Sequence, residues 1–243
     1  MRIIKVNATA STNILAREWY QSNPKSTQVC FVAENQTQGR GQRGAGWVSN
    51  PGENLTFSVL FPSPGVEINN QFQISAGTGL AILEVLKELR INNLKLKWPN
   101  DIMAANKKIG GILIENILSG GSIGATIIGI GLNINQTVFS DLPRAGSLKM
   151  ITGTNYDVDE VLEKVVDRLS ANILALSKSE TVDLMQNYEE VLFRRNKVST
   201  FQKEDNSFFT GIIKGVTPTG LLQILVEEEI LQTYDLKQVK LLF

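Results

Sequence analysis

A chain of 243 residues with 42% apolar content is long enough to bury a substantial core, as one large domain with a smaller one attached. Lys+Arg and Asp+Glu balance at 24 each, so no overall positive field recommends nucleic acid or an anionic membrane as a partner, and basic chemistry has to be local. The absence of histidine removes Ser-His-Asp and Cys-His catalysis and, with a single cysteine, nearly every zinc site. What is left is catalysis by positioning and electrostatics. The lone thiol, Cys30, lies in an apolar strand-like run and reads as a small buried hydrophobe of a reducing compartment. Residues 1–6 are too short and too strand-like for a signal peptide, and no apolar run reaches about 18 residues, so a cytoplasmic protein is expected.

In chain order, Ser11-Thr12-Asn13 precedes Ile14, Leu15, Ala16 and Trp19, which predicts a short amphipathic helix capped by a hydroxyl. A strand over 29–33 leads into Gly39-Arg40-Gly41-Gln42-Arg43-Gly44-Ala45-Gly46-Trp47. Glycines let backbone N–H groups approach an anion, Arg40 and Arg43 carry permanent charge, and Trp47 offers a flat apolar face to a ring. Residues 39–44 also fit the dinucleotide pattern G-x-G-x-x-G, but that pattern needs a helix directly after it, and Pro51-Gly52 makes a turn. The Rossmann reading is therefore rejected.

Leu55, Phe57, Val59 and Phe61 alternate along a half-buried strand over 54–61 that ends at Pro62 and Pro64. Helical spacing predicts a helix over 70–90, with Gly77 and Gly79 allowing close packing on the sheet. Over 94–98, Leu94, Leu96 and Trp98 face inward and Lys95 and Lys97 outward, until Pro99-Asn100-Asp101 ends the run. A polar turn over 105–108 leads to a strand over 110–115. Ser119-Gly120-Gly121-Ser122 is read as a hairpin turn before an apolar central strand over 125–135, whose polar exit at Asn133 and Asn135 is expected to face a site. Helices are predicted over 158–176, introduced by Asp157 and Asp159, and over 180–192, both as packing elements. Short β runs over 197–201, 208–216, 221–226 and 230–234 predict a small barrel.

Ser11-Thr12-Asn13, the 39–47 loop, Lys97-Trp98-Pro99-Asn100-Asp101, Lys108-Ile109-Gly110-Gly111-Ile112-Leu113 with Glu115, and Gly129-Ile130-Gly131-Leu132-Asn133 together resemble the biotin protein ligases in order and spacing. The resemblance implies an α+β fold: a mixed β-sheet flanked by helices, similar to class II aminoacyl-tRNA synthetases, over 1–195, with a small SH3-like β-barrel domain over 196–243. Many members carry an N-terminal helix-turn-helix; with the S-T-N motif starting at residue 11 there is no room for one, so a ligase without repressor function and without a DNA partner is expected. The implied chemistry is activation of biotin by ATP to biotinyl-5′-AMP, then transfer to a lysine of a biotin carboxyl carrier protein. No membrane partner is implied, and a homodimer is one possibility, since the family includes monomers and dimers.

Carried over position by position, the resemblance assigns biotin to Ser11, Thr12, Asn13, Gln36, Arg40, Gly41, Gln42, Lys108, Gly110 and Gly111. It assigns ATP or the adenylate to Arg40, Arg43, Trp47, Lys97, Asn100 and Asn133, and catalysis to Lys108, Arg40, Asp101 and Lys97. Trp47 would lie against the adenine and Asn133 would read its edge; Lys108 would bridge the biotin carboxylate and the α-phosphate. Asp101 would orient or deprotonate the incoming lysine. Mg2+ is expected on the ATP phosphates, with no dedicated protein site. The loop departs from the family's common G-R-G-R-x-G-R-x-W at Gln42 and Ala45, where arginines often stand, so a looser grip on the adenylate is expected. A lipoate ligase of the same fold and a nucleic-acid-binding module built on the Gly/Arg loop are the alternatives, the second disfavoured by the zero net charge.

Overall fold

The computed structural model describes residues 1–140, 142–178 and 183–243, with all their side chains except those of Arg43 and Glu228. In chain order the first part contains β1 (Arg2–Thr9), α1 (Thr12–Ser22), β2 (Val29–Gln36), β3 (Leu55–Pro62), α2 (Phe72–Glu88), β4 (Leu94–Lys97), β5 (Asp101–Ala104), β6 (Lys107–Ser119), β7 (Ser122–Leu132), α3 (Leu148–Thr152), α4 (Val158–Ser177) and α5 (Leu184–Glu190). Seven strands form one mixed sheet in the order β1-β2-β3-β7-β6-β5-β4, in which only the β1–β2 pair is parallel.

Alternation along the central strands decides what covers each face. Leu55, Phe57, Val59 and Phe61 of β3, with Ile128, Ile130 and Leu132 of β7, pack into the large core shared with Ile82, Leu83 and Leu86 of α2 and Val165, Leu169 and Ile173 of α4. The opposite face is covered only in part: Phe31, Leu60, Ala125 and Ile127 pack against Ala16 of α1. Beyond the N-terminus of α1 that face is left open, and the cavity described below lies there.

Several local expectations are corrected. Ser11 occupies the N-cap position of α1 with extended backbone, but its hydroxyl makes no capping hydrogen bond. The polar turn is only Ala105-Asn106, Ala105 taking the left-handed conformation (φ 52°), and Lys107 and Lys108 already belong to β6. Of the two helical glycines, Gly79 gives room to Leu96 of the sheet, whereas Gly77 faces Leu176 of α4. β7 stops at Leu132, short of Asn133 and Asn135. The helix expected over 180–192 is Leu184–Glu190, residues 180–182 lying outside the described part. α3 was not anticipated, although its ends are marked in the sequence: Ser147 accepts from the Met150 amide, and Gly153 (φ 76°) closes it.

The rest of the chain gives β8 (Val198–Lys203), β9 (Phe208–Val216), β10 (Leu222–Leu225), β11 (Leu231–Tyr234) and β12 (Val239–Leu242). The small barrel expected here takes the form of an antiparallel sheet of five strands, ordered β11-β10-β9-β8-β12. Phe201, Ile213, Leu222, Ile224 and Val239 belong to the same apolar cluster as the large core, so the two sheets share one interior. Trp98, at the end of β4, fastens them: it is buried, and its Nε1 donates to the Gly220 carbonyl at 2.9 Å.

No helix among the described residues is long and apolar enough to cross a membrane. Cys30 is fully buried, and that burial pushes its thiol up to about 12. The folded protein should therefore fail to react with a disulfide reagent at pH 8 and titrate one thiol after unfolding. Rapid native labelling would contradict this burial.

Candidate active site

The open part of the sheet face is hollow because its side chains are missing. In the β6–β7 ladder Gly111 lies opposite Gly131, and Gly129 lies opposite both Leu113 and Ser58 of β3. Glycine at every second position of Gly129-Ile130-Gly131 strips one face of the strand while Ile130 stays in the core on the other. Each bare position is filled by a visitor: a Cβ on Gly129 would overlap the Asn13 carboxamide, and one on Gly131 would overlap the Trp47 indole. A Cβ on Gly111 would come within 3.7 Å of both Lys108 Nζ and Trp47 Cζ3. The result is a cavity of about 400 Å3 whose far wall is formed by Leu222, Val239 and Leu241 of the C-terminal sheet and by Leu236 between its last two strands.

One end of the cavity is polar and tightly bonded. Thr12 N donates to Gln36 Oε1 at 2.8 Å, Ser58 Oγ lies 2.7 Å from Thr12 Oγ1 and 2.6 Å from Asn13 Oδ1, and Asn13 Nδ2 donates to Glu115 Oε2 at 3.0 Å. Ser11, Thr12, Asn13 and Ser58 are all buried. The Ser11 hydroxyl makes no hydrogen bond with the described residues and is available to a ligand.

The middle is positive. Lys97 Nζ meets Asp101 Oδ2 at 3.0 Å and Lys108 Nζ meets Asp101 Oδ1. Burial alone would raise the Asp101 carboxyl, but the two ammonium groups beside it outweigh that and hold it below the usual carboxylate range. One carboxylate between two lysines leaves a net positive charge. The Lys97 ammonium also lies 5.5 Å above the ring of Phe243, which carries the Arg144 guanidinium at 4.4 Å.

The 39–47 loop closes the third side as a small hairpin. Trp47 N donates to Gly39 O at 2.9 Å, Gly41 N donates to Ala45 O at 2.6 Å, and a tight turn spans Gln42–Gly44. The Gly41 amide, expected to be free for an anion, is thus used within the loop. Gly39 must lack a side chain because a Cβ there would overlap the Trp47 carbonyl. Arg40 is exposed on the cavity wall with no carboxylate paired to it among the described residues. Gln42 Oε1 and Trp47 Nε1, on the same wall, are buried polar atoms without a partner, which in a binding site marks groups a ligand can satisfy.

The cavity thus gathers Ser11, Thr12, Asn13, Gln36, Arg40, Gly41, Gln42, Trp47, Lys97, Asn100, Asp101, Lys108 and Gly111. Lys108 and Arg40 face one shared space. Gly110 lies on the other face of β6, where a Cβ would meet Ile102 and Leu132. Asn133 is not on the cavity wall; its Nδ2 donates to the Gly146 carbonyl at 2.9 Å and its N–H to Ile109 O. Asn135 likewise ties down Tyr156. The Asn100 amide donates to Ile112 O, which fixes the 98–101 turn onto β6. The Arg43 side chain lies outside the described residues. Residues not anticipated at the cavity include Phe193, which precedes the second sheet, and Leu222, Val239, Lys240 and Leu241, which the second sheet brings in.

Comparison with known proteins agrees with this geometry. The biotin protein ligase from Aquifex aeolicus, solved in complex with biotin and ATP, superposes with a TM-score of 0.82 at 30% identity, over 99% of this chain and 98% of that one. The bifunctional ligase/repressor BirA of Escherichia coli is 28% identical over 84% of this chain and 63% of its own length. The biotin–acetyl-CoA-carboxylase ligase of Mycobacterium tuberculosis is 31% identical over 70% of this chain, which likewise spans 63% of that relative's length. The model of the biotin/lipoate A/B protein ligase family matches residues 4–133, more than half of the 243 residues and all the strands that carry the cavity floor, and the chain belongs to that family.

Proposed function

We propose that the protein is an ATP-dependent biotin protein ligase: it joins biotin and ATP to biotinyl-5′-AMP and pyrophosphate, then passes the biotinyl group to a lysine amine of a biotin carboxyl carrier domain, releasing AMP. The observation that carries this reading is the convergence of Lys108, Lys97 and Arg40 on one cavity next to a hydrogen-bonding end built from Ser11, Thr12 and Gln36. A carboxylate and a triphosphate repel each other, and the first step requires their oxygen and phosphorus atoms to meet. Fixed cations in a partly dry pocket reduce that repulsion most where charge builds up in the transition state.

The ureido ring of biotin fits the polar end, whose buried acceptors and donors would discriminate against a ring lacking N–H groups. Lys108 would then stand where the biotin carboxylate meets the α-phosphate, and the Trp47 indole, packed over Gly131, would lie against the purine. Asp101 holds Lys97 and Lys108 in place; with its carboxyl held low it is a weak base, so it orients the incoming amine more than it deprotonates it. Magnesium would travel on the ATP phosphates and neutralise the leaving pyrophosphate. Among the described residues Asp101 is the one carboxylate on the cavity wall and is committed to two lysines, and no group of three metal-ligating side chains gathers.

Incubation with biotin, MgATP and a biotin-free carboxyl carrier domain should add one biotinyl mass to that domain, at its acceptor lysine. Modification with lipoate but not biotin would replace this reading with the other activity of the family.

A further inference from the structure

Lys108 reaches the cavity against the alternation of its own strand. Counted back from Gly111, which faces the cavity, a regular strand would put Ile109 in the cavity and Lys108 in the core. The opposite is observed: Ile109 is fully buried in the large core, Gly110 beside it faces the core as well, and Lys108 lines the cavity. The pairing of β5 with β6 accounts for the reversal, since Met103 pairs with Lys108 and Ile102 with Gly110, which leaves Ile109 as one extra residue in β6. A β-bulge of this kind turns the side chain that precedes it to the other face. We propose that Asn133 is a positioning residue that clamps this bulge and so aims Lys108 into the cavity. This rests on the reading of the cavity as the place where biotin meets ATP.

In a regular strand neighbouring carbonyls point to opposite sides. Here the neighbours Lys108 O and Ile109 O both accept from the chain beyond the end of β7: Ile109 O from Asn133 N at 2.8 Å, and Lys108 O from Gly146 N at 2.9 Å. Lys108 N donates to Arg144 O at 2.7 Å, so the 144–146 segment holds both main-chain groups of the lysine. Asn133 governs both carbonyls of the bulge, one through its own N–H and the other through its carboxamide, whose Nδ2 donates to Gly146 O at 2.9 Å. No other donor among the described residues bonds that carbonyl. Asn133 and Gly146 are both buried, so loss of the carboxamide leaves the carbonyl unbonded in the interior and favours a shift of 144–146 away from Lys108. Asp101 draws the Lys108 ammonium once it is in the cavity, but the backbone decides from which face of the sheet the side chain leaves.

The test measures single-turnover formation of biotinyl-adenylate for the intact chain, Asn133→Ala, Lys108→Ala and the double variant, with biotin and ATP affinity and thermal midpoint alongside. Asn133→Ala should slow the step by about tenfold at saturating biotin and ATP, with both affinities within about threefold of the parent and the preference for ATP over GTP unchanged. In the Lys108→Ala background Asn133→Ala should slow it no further, because the clamp acts through Lys108. Gly146→Ala, whose Cβ would press on Lys107 Cβ at 2.9 Å, disturbs the same segment with Asn133 intact; made in both backgrounds, it carries the test if Asn133→Ala does not fold. An equal loss in both backgrounds would overturn the inference, as would a normal rate in a less stable Asn133→Ala variant. Weaker ATP binding with a relaxed preference for ATP over GTP would assign Asn133 to the adenine and overturn it too. A parent chain that forms no biotinyl-adenylate would instead overturn the proposed function, and this inference with it.

Discussion

Replacing Lys108 by alanine should slow biotinyl-adenylate formation by about a hundred- to a thousandfold, about 3–4 kcal/mol of transition-state stabilisation. In the proposed reaction Lys108 is the cation between the two anions: it sits over Gly111, where the missing side chain leaves it room, and Asp101 fixes its direction. Alanine removes the charge and leaves Asp101 paired with Lys97 alone, so the net positive charge at the centre falls to zero. Because the effect is on the reacting phosphate, biotin affinity in the absence of ATP should change far less than the rate. Single-turnover formation of the adenylate, with biotin affinity measured separately, checks this split. An alanine variant that loses biotin binding and keeps its rate at saturation would show that Lys108 serves only ground-state binding.

Trp98→Ala should lower stability by about 3–5 kcal/mol, which for a chain of this size is a fall of about 10 °C in thermal midpoint. The ring is buried in the seam between the two sheets, and its Nε1 supplies the Gly220 carbonyl. Trp98→Phe keeps most of the apolar contact and should cost about 1 kcal/mol for the lost hydrogen bond. The alanine variant should also lose activity below its melting temperature, since Leu222, Val239 and Leu241 reach the cavity only if the second sheet stays seated. Calorimetry and activity assays at one temperature separate the two effects. Near-normal stability of the alanine variant would mean the sheets do not share a core.

Much of the fold was legible because it is written in local periods. The alternation in 54–61 and the helical spacing in 158–176 each announced an element, and both are found, but β3 is buried on both faces and not half-buried, because Ala16 of α1 packs on Leu60 and Thr12 and Asn13 lie over Ser58. The same period of two also separates Gly110 from Gly111: neighbours in a strand point to opposite faces, so only one of the pair can reach the cavity. It explains Gly129 and Gly131 as well, two glycines on one face with an isoleucine on the other. Asn133 was harder. A polar residue at a strand exit suits a site, but this one satisfies the carbonyl of Gly146, a partner 13 residues away that no local pattern reveals. The Ser11 hydroxyl had the composition of a helix cap but lies in the cavity, and capping and ligand binding look alike in a sequence. Phe243 under Lys97, and the wall formed by β12, depend on how the two sheets meet, which only tertiary packing decides.

The central claim is that one cavity brings a ureido-bearing carboxylate and ATP together. Exchange of labelled pyrophosphate into ATP measures this directly, since label returns only if the acyl-adenylate forms reversibly. Exchange should require biotin and should not be supported by lipoate. Exchange that proceeds equally without biotin, or with lipoate in its place, would contradict it.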